Sequence, residues 1–138
     1  MLKIVVDTNS LLVATPIKSS YRWFYEIMLE RKFDLVLSTE IILEYEEKLG
    51  EFYSPVYAET IIQVIINLPN LVYVNPVSFN WQLIDRDPDD NKFVDAYVAA
   101  GADFIISDDK HFNILEKVEF PKVHVLKMRN LSEADLKI

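Results

Sequence analysis

Two groups of polar residues that could take part in catalysis each follow a short apolar run, and we call these groups polar corners. Their polar residues are Asp7, Thr8 and Asn9 after the run 4–6, and Ser107, Asp108 and Asp109 after the run 104–106. β-Branched apolar runs of this length are typical of buried strands, and Asp, Asn, Thr and Ser favour the turns and helix caps that end them. The pattern predicts carboxylates placed at the ends of two strands.

Two further acidic clusters fall on predicted helices. They are Glu40, Glu44, Glu46 and Glu47 in a helix over 40–49, and Asp85, Asp87, Asp89 and Asp90 in front of a helix over 93–100. Glu44 flanks the apolar ridge of its helix, whereas Glu47 falls toward solvent. Asp87 as N-cap and Pro88 at the first helical position give the second cluster a capping explanation. Surface charge and capping therefore remain open as explanations of these acids.

The elements that must position these residues alternate between strand and helix. Strands are predicted over 4–6, 35–37, 71–74, 104–106 and 122–126, with His124 packed within the last, and the helix over 40–49 is expected to end at Gly50. This alternation predicts one α/β domain over 1–138, with a mostly parallel sheet of about five strands between helical layers. The carboxyl ends of its strands share one edge, so the four acidic clusters are expected to converge there.

Composition narrows the chemistry that this edge could perform. The chain has 138 residues, 51% of them hydrophobic, no cysteine and a net charge of −8. The lack of cysteine excludes disulfide scaffolds, thiolate metal sites and Cys nucleophiles. No apolar run approaches the ~20 residues of a membrane span, so a cytoplasmic protein is expected. The acidic balance is unlike a plain nucleic-acid binder, which carries a basic face.

Converging carboxylates repel one another, and divalent cations resolve this repulsion. Mg²⁺ and Mn²⁺ prefer carboxylate and water oxygens together with substrate phosphates. One or two such ions could activate a water and stabilise the leaving oxygen of a phosphodiester displacement. The residues alone thus indicate a metal-dependent phosphoryl hydrolase.

Four segments carry a more specific pattern. They are Val-Asp-Thr-Asn at 6–9, Ser-Thr-Glu-Ile-Ile-Leu-Glu-Tyr at 38–45, Asp-Pro-Asp-Asp-Asn-Lys-Phe at 87–93 and Ala-Gly-Ala-Asp-Phe-Ile-Ile-Ser-Asp-Asp-Lys at 100–110. In this order and spacing they resemble the successive motifs of the PIN-domain family, and the nearest branch contains prokaryotic toxins of toxin–antitoxin systems. The resemblance extends from residue 4 to about residue 125 and rests on all four segments together.

This resemblance implies a three-layer α/β/α sandwich and an endoribonuclease dependent on one or two Mg²⁺ or Mn²⁺ ions. The acids that it implies as metal ligands are Asp7, Glu44, Asp90 and Asp109, with Asp95 as a further candidate. It also implies that Thr8, Asn9 and Ser107 orient carboxylates or water, and it leaves Asp108 open as an alternative to Asp109. RNA substrate, a cognate antitoxin and a homodimer involving residues 61–66 are the implied partners, without a membrane.

Three other functions remain open from the sequence. A haloacid-dehalogenase-type phosphatase needs a second Asp two residues after the first, where this chain has Asn9. A receiver-like signalling domain needs a later lysine that has no convincing position here. A catalytically weak or inactive PIN module would act only by binding RNA or protein.

Overall fold

Helices and strands alternate in the computed structural model, which describes residues 1–75 and 91–137. The helices are α1 (Thr8–Ala14), α2 (Arg22–Leu29), α3 (Thr39–Phe52), α4 (Pro55–Ile66) and α5 (Asn91–Ala100). The strands are β1 (Lys3–Val6), β2 (Asp34–Leu37), β3 (Leu71–Tyr73), β4 (Phe104–Ile106) and β5 (Val125–Leu126). Three 3-10 helices follow β4 and β5, at Lys110–Lys117, Met128–Asn130 and Glu133–Leu136.

The five strands form one parallel sheet in the order β3-β2-β1-β4-β5. From β1 the chain moves outward to β2 and β3, and it then crosses to β4 and β5 on the other side. Right-handed crossovers assign α1 to α4 to one face of such a sheet and α5 to the opposite face. This confirms the predicted three-layer α/β/α sandwich. The direction of winding reverses between β1 and β4, and a ligand crevice opens outside the carboxyl ends of strands at such a point.

Apolar side chains fill both sides of the central strands. Ile4, Val5 and Val6 of β1 are wholly inaccessible to solvent, as expected for a parallel strand covered by helices on both faces. The largest fully buried side chains are Tyr45, Phe24, Phe33, Phe93 and Phe112. This core fixes β1 and β4, whose ends carry the polar corners.

Three local predictions were wrong. Gly50 does not end the helix over 40–49, since α3 continues to Phe52. Instead, a side chain added at Gly50 would meet Ala58 Cβ of α4 at 3.9 Å, so the glycine lies where α3 and α4 pack closely. Only Val125 and Leu126 of the segment 122–126 pair with β4, and His124 is exposed rather than packed.

The structure bears on two further expectations only within the residues that it describes. The helix start predicted at Asp87 and Pro88 lies outside the described residues. Among the helices that are described, none is long and apolar enough to cross a membrane.

Candidate active site

Asp7 stands at the carboxyl end of the central strand and caps the helix that follows. Its backbone N–H donates to the carbonyl of Ile106 at 3.0 Å, which continues the pairing of β1 with β4. Its Oδ1 accepts hydrogen bonds from the backbone N–H of Asn9 at 2.6 Å and of Ser10 at 3.4 Å. A carboxylate suits this position because the first N–H groups of a helix lack partners within the helix. The side chain is only 4% exposed.

Ser107 connects Asp7 to Asp109 across the reversal of the sheet. Val6 and Ile106 are in register on the two strands, so the residues that follow them lie side by side. The buried Ser107 hydroxyl donates to Asp7 Oδ2 and accepts from the backbone N–H of Asp109 at 3.0 Å. One hydroxyl thus fixes two of the acids that the sequence singled out.

The two neighbouring acids after β4 have different surroundings. Asp109 caps the 3-10 helix Lys110–Lys117, and its Oδ1 accepts from the backbone N–H of His111 at 2.9 Å. Asp108 is exposed, and its Oδ1 accepts from the backbone N–H of Arg129 at 3.2 Å. Asp109 is therefore the acid that Ser107 ties to Asp7, whereas Asp108 contacts the segment after β5.

Glu44 joins the site from α3, and both of its carboxylate oxygens have partners. Thr8 Oγ1 donates to Oε2, and Lys92 Nζ lies 2.7 Å from Oε1. Two contacts hold α3 in place: Ser38 Oγ accepts from the backbone N–H of Ile41 at 3.3 Å, and the Tyr45 hydroxyl donates to the carbonyl of Val6. Glu44 is therefore held by Thr8, the residue that directly follows Asp7 in the chain.

Burial raises the pKa values of two groups at this site, Asp7 and Tyr45. Removal from water is the largest effect on Asp7 and raises its pKa from 3.8 to about 6. Hydrogen bonds from Ser107, Asn9 and Ser10 oppose this rise, and the negative charge of Asp109 adds to it. Burial also raises the pKa of Tyr45 well above its ordinary value, with smaller contributions from the charges of Asp7 and Glu44. A carboxylate without water and beside another acid favours either a proton or a metal cation.

The structure places the predicted site residues in different surroundings. Five of them lie in two hydrogen-bonded groups that are adjacent in the chain at residues 7 and 8: Asp7, Ser107 and Asp109 in one, and Thr8 and Glu44 in the other. Asn9 contributes its backbone N–H and is otherwise exposed, and Asp95 is buried in α5. Asp90 lies outside the described residues. Within 1–75 and 91–137, no three acidic or histidine side chains form a group that could hold a metal ion.

Two further residues contact this site without having been predicted as functional. Tyr45 anchors α3 to β1, and Lys92 pairs with Glu44. Both lie within the motif segments, but only the fold reveals their contacts.

Comparison with known proteins identifies the family. The profile of the PIN domain matches residues 3–111, which is most of the chain. The chain belongs to the PIN-domain family. No curated protein matches its sequence, so further likeness comes from solved structures.

Several solved PIN-domain structures share this fold at low sequence identity. VapBC2 from Rickettsia felis, bound to a DNA fragment from its promoter, matches with a TM-score of 0.65 and 8% identity, covering 91% of this chain and 98% of that chain. VapBC-1 from nontypeable Haemophilus influenzae matches with a TM-score of 0.65 and 13% identity, covering 94% and 100%. The RRP44 PIN domain of T. brucei matches with a TM-score of 0.51 and 14% identity, covering 99% and 82%. At these identities the likeness establishes the fold alone.

PIN domains typically use divalent metal ions, and the donors present here suit such an ion. Asp7 and Asp109 offer carboxylate oxygens, which Mg²⁺ and Mn²⁺ prefer, although these two acids and Glu44 do not by themselves form a three-acid metal group among the described residues. Within the described residues, no lysine or arginine pairs with the buried Asp7, and the Lys92 ammonium already provides Glu44 with a cation. In chemical type, these oxygen donors therefore fit the ion that the family implies.

Proposed function

We propose that this PIN domain is a Mg²⁺- or Mn²⁺-dependent endoribonuclease, and that it is the toxin component of a toxin–antitoxin pair in the cytoplasm. The observation that carries the proposal is the connection of Asp7 to Asp109 through the Ser107 hydroxyl, at the point where the sheet reverses. Membership of a family whose members are generally nucleases supports the phosphodiester chemistry. RNA as substrate follows from the family resemblance of the sequence motifs.

The residues that would hold the ion are Asp7, Glu44, Asp109 and Asp90, with Asp95 as a further candidate and Asp108 as the alternative to Asp109. A bound divalent ion supplies positive charge to the scissile phosphate and makes an attacking water more acidic. Thr8 and Ser107 act as positioning residues, because their hydroxyl protons are directed at Glu44 and Asp7. With no cysteine in the chain and both hydroxyls engaged, water is the expected nucleophile, leaving 5′-phosphate and 3′-hydroxyl ends.

Metal removal tests the enzymatic proposal. Purified protein stripped with EDTA is incubated with a long, end-labelled RNA, and MnCl₂ or MgCl₂ is then restored. The proposal expects internal cleavage that EDTA abolishes and either metal restores, with products that a 5′-phosphate-dependent exonuclease degrades. Cleavage that persists in EDTA, or products with 2′,3′-cyclic phosphate ends, would overturn it.

The toxin role has support from those similar structures that are VapBC and FitAB complexes. A cognate antitoxin is accordingly the protein partner that we propose. Induced expression of this chain alone should arrest growth of a bacterial host, and co-expression of the protein encoded next to it should relieve the arrest. Growth that is unaffected by well-expressed, folded protein would contradict the toxin role.

One observation favours the alternative of a PIN module that acts only by binding RNA or protein. Both Glu44 oxygens already have partners from the chain itself, so that acid is not free for a metal ion. Titration calorimetry with MnCl₂ separates the two functions, because a purely binding module gives no metal binding and no cleavage.

A further inference from the structure

The Glu44–Lys92 pair places a fixed cation on one of the proposed metal ligands. Lys92 Nζ lies 2.7 Å from Glu44 Oε1, and the side chains are only 15% and 18% exposed. This distance is typical of a charge-assisted hydrogen bond. An ion that binds Oε1 from the same side has to displace the ammonium.

The Lys92 ammonium is held beside Glu44 by its surroundings. Lys92 is the second residue of α5, and its ammonium lies 6.0 Å from the ring centre of Phe93, which is within the range of cation–π attraction. Lys48 gives a contrast on the surface of α3: it lies 3.3 Å from Glu51, and the two side chains are 40% and 55% exposed. Solvent screens a pair such as Lys48–Glu51 far more than it screens Lys92–Glu44.

We infer that Lys92 is an internal competitor of the divalent metal ion and sets the metal concentration at which the site fills. The inference rests on the proposed function, since it takes Glu44 as a metal ligand. In the metal-free protein the ammonium neutralises Glu44. When a cation binds, Lys92 gives up Oε1 and remains close to a like charge, which lowers the metal affinity.

A purely structural ion pair predicts a different result. If Lys92 served only to hold Glu44 in place, its removal would leave the carboxylate less ordered, and metal affinity would fall or stay the same. If Lys92 competes with the metal, its removal frees a ligand oxygen and takes away a positive charge, so metal affinity rises. The direction of the change in affinity therefore distinguishes the two roles.

Titration calorimetry of the metal-stripped full chain with MnCl₂ measures this direction. Lys92→Met is expected to bind Mn²⁺ about ten-fold more tightly than wild type or better, because a nearby positive charge is lost. Lys92→Gln, which keeps a hydrogen-bond donor without the charge, should also bind more tightly, and Lys92→Arg should stay close to wild type. Lys32→Met is the matched control, since it changes the net charge equally at an exposed position before the amino end of β2, and its affinity should be unchanged.

Folding of each variant is checked by circular dichroism, and Lys92→Gln serves if Lys92→Met is unfolded. Mn²⁺ affinity that is unchanged or weaker in the charge-removing variants overturns the inference, and so does undetectable binding by wild type and both of these variants. Mn²⁺ binding that appears only after the charge is removed supports it.

The failure of the inference and that of the proposed function can be told apart. If wild type cleaves RNA in a metal-dependent way but Lys92→Met binds Mn²⁺ no more tightly, only the inference fails. If Lys92→Met binds Mn²⁺ more tightly but neither protein cleaves RNA, only the nuclease activity fails.

Discussion

Ser107 donates a hydrogen bond from its hydroxyl to Asp7 Oδ2, across the two strands between which the sheet reverses its winding. Both side chains are almost completely buried. The hydroxyl favours the ionised form of Asp7 in a place where burial opposes it. The ionised form is also the one that can bind a metal ion.

Ser107→Ala should therefore shift the acid limb of the pH–activity profile of RNA cleavage to higher pH, because the pKa of Asp7 loses an interaction that lowers it. Loss of a buried hydrogen bond should also reduce the free energy of unfolding by about 1–3 kcal/mol. Ser54→Ala is the matched control: Ser54 caps α4 by accepting from the backbone N–H of Tyr57 at 3.0 Å, and its loss destabilises by about 1 kcal/mol. It should leave the pH profile in place, and an equal shift in both variants would contradict the role of Ser107.

The raised pKa of Asp7 predicts that this residue lowers stability at neutral pH in the absence of metal. Below about pH 3 the carboxyl is protonated in both folded and unfolded chains and has no effect. Between about pH 4 and pH 6 the unfolded chain has lost this proton while the folded chain keeps it, so stability falls as the pH rises. Above about pH 6 the folded chain holds the buried charge, and the rise in pKa from 3.8 to about 6 corresponds to a total loss of about 3 kcal/mol.

Asp7→Asn removes this penalty. In EDTA, the variant should be more stable than wild type in urea unfolding by only about 0.5 kcal/mol near pH 4 and by up to about 3 kcal/mol near pH 7.5. The difference between the two proteins isolates Asp7 from the other carboxylates. A difference that is the same at both pH values would contradict the assigned pKa.

The Thr8 hydroxyl donates to Glu44, so Thr8→Val should leave Oε2 of that carboxylate without a donor. Valine has nearly the same shape, and the site is buried, so the fold should be kept. We expect kcat for RNA cleavage to fall about ten-fold with little change in KM, by analogy with partners that orient ligands in metal sites. Thr8→Ser should restore the rate, and restoration by serine is an outcome that a packing role alone would not give.

The proposed homodimer involves α4, the helix that includes 61–66. Ile61, Ile62 and Ile65 are buried within the chain, whereas Val64 and Ile66 are 39% and 41% exposed. Ile66→Glu should convert a dimer seen by light scattering into a monomer, while Ile17→Glu, the same change at an 82% exposed position outside α4, should not. A wild-type protein that is monomeric at high concentration would remove this surface from consideration.

The strands and the two polar corners could be predicted because local residue types determine them. Strand runs end at Asp7 and at Ser107, and the structure has both corners in those places. The order of the strands is not written in any local pattern, so the sequence could not show that Ser107 lies beside Asp7 and accepts from Asp109 rather than Asp108. The pairing of Lys92 with Glu44 joins residues that are 48 positions apart. Contacts of this kind arise from packing, and sequence spacing does not reveal them.

The central claim is that Asp7 holds the metal ion needed for RNA cleavage, and the initial rate of cleavage in MnCl₂ tests it most directly. The matched control is Asp103→Asn, which makes the same change at the start of β4, where Asp103 accepts from the backbone N–H of Lys3 at 2.8 Å. Asp7→Asn is expected to lower the rate about a hundred-fold or more, whereas Asp103→Asn should keep a rate close to wild type. Full cleavage by folded Asp7→Asn protein would contradict the account.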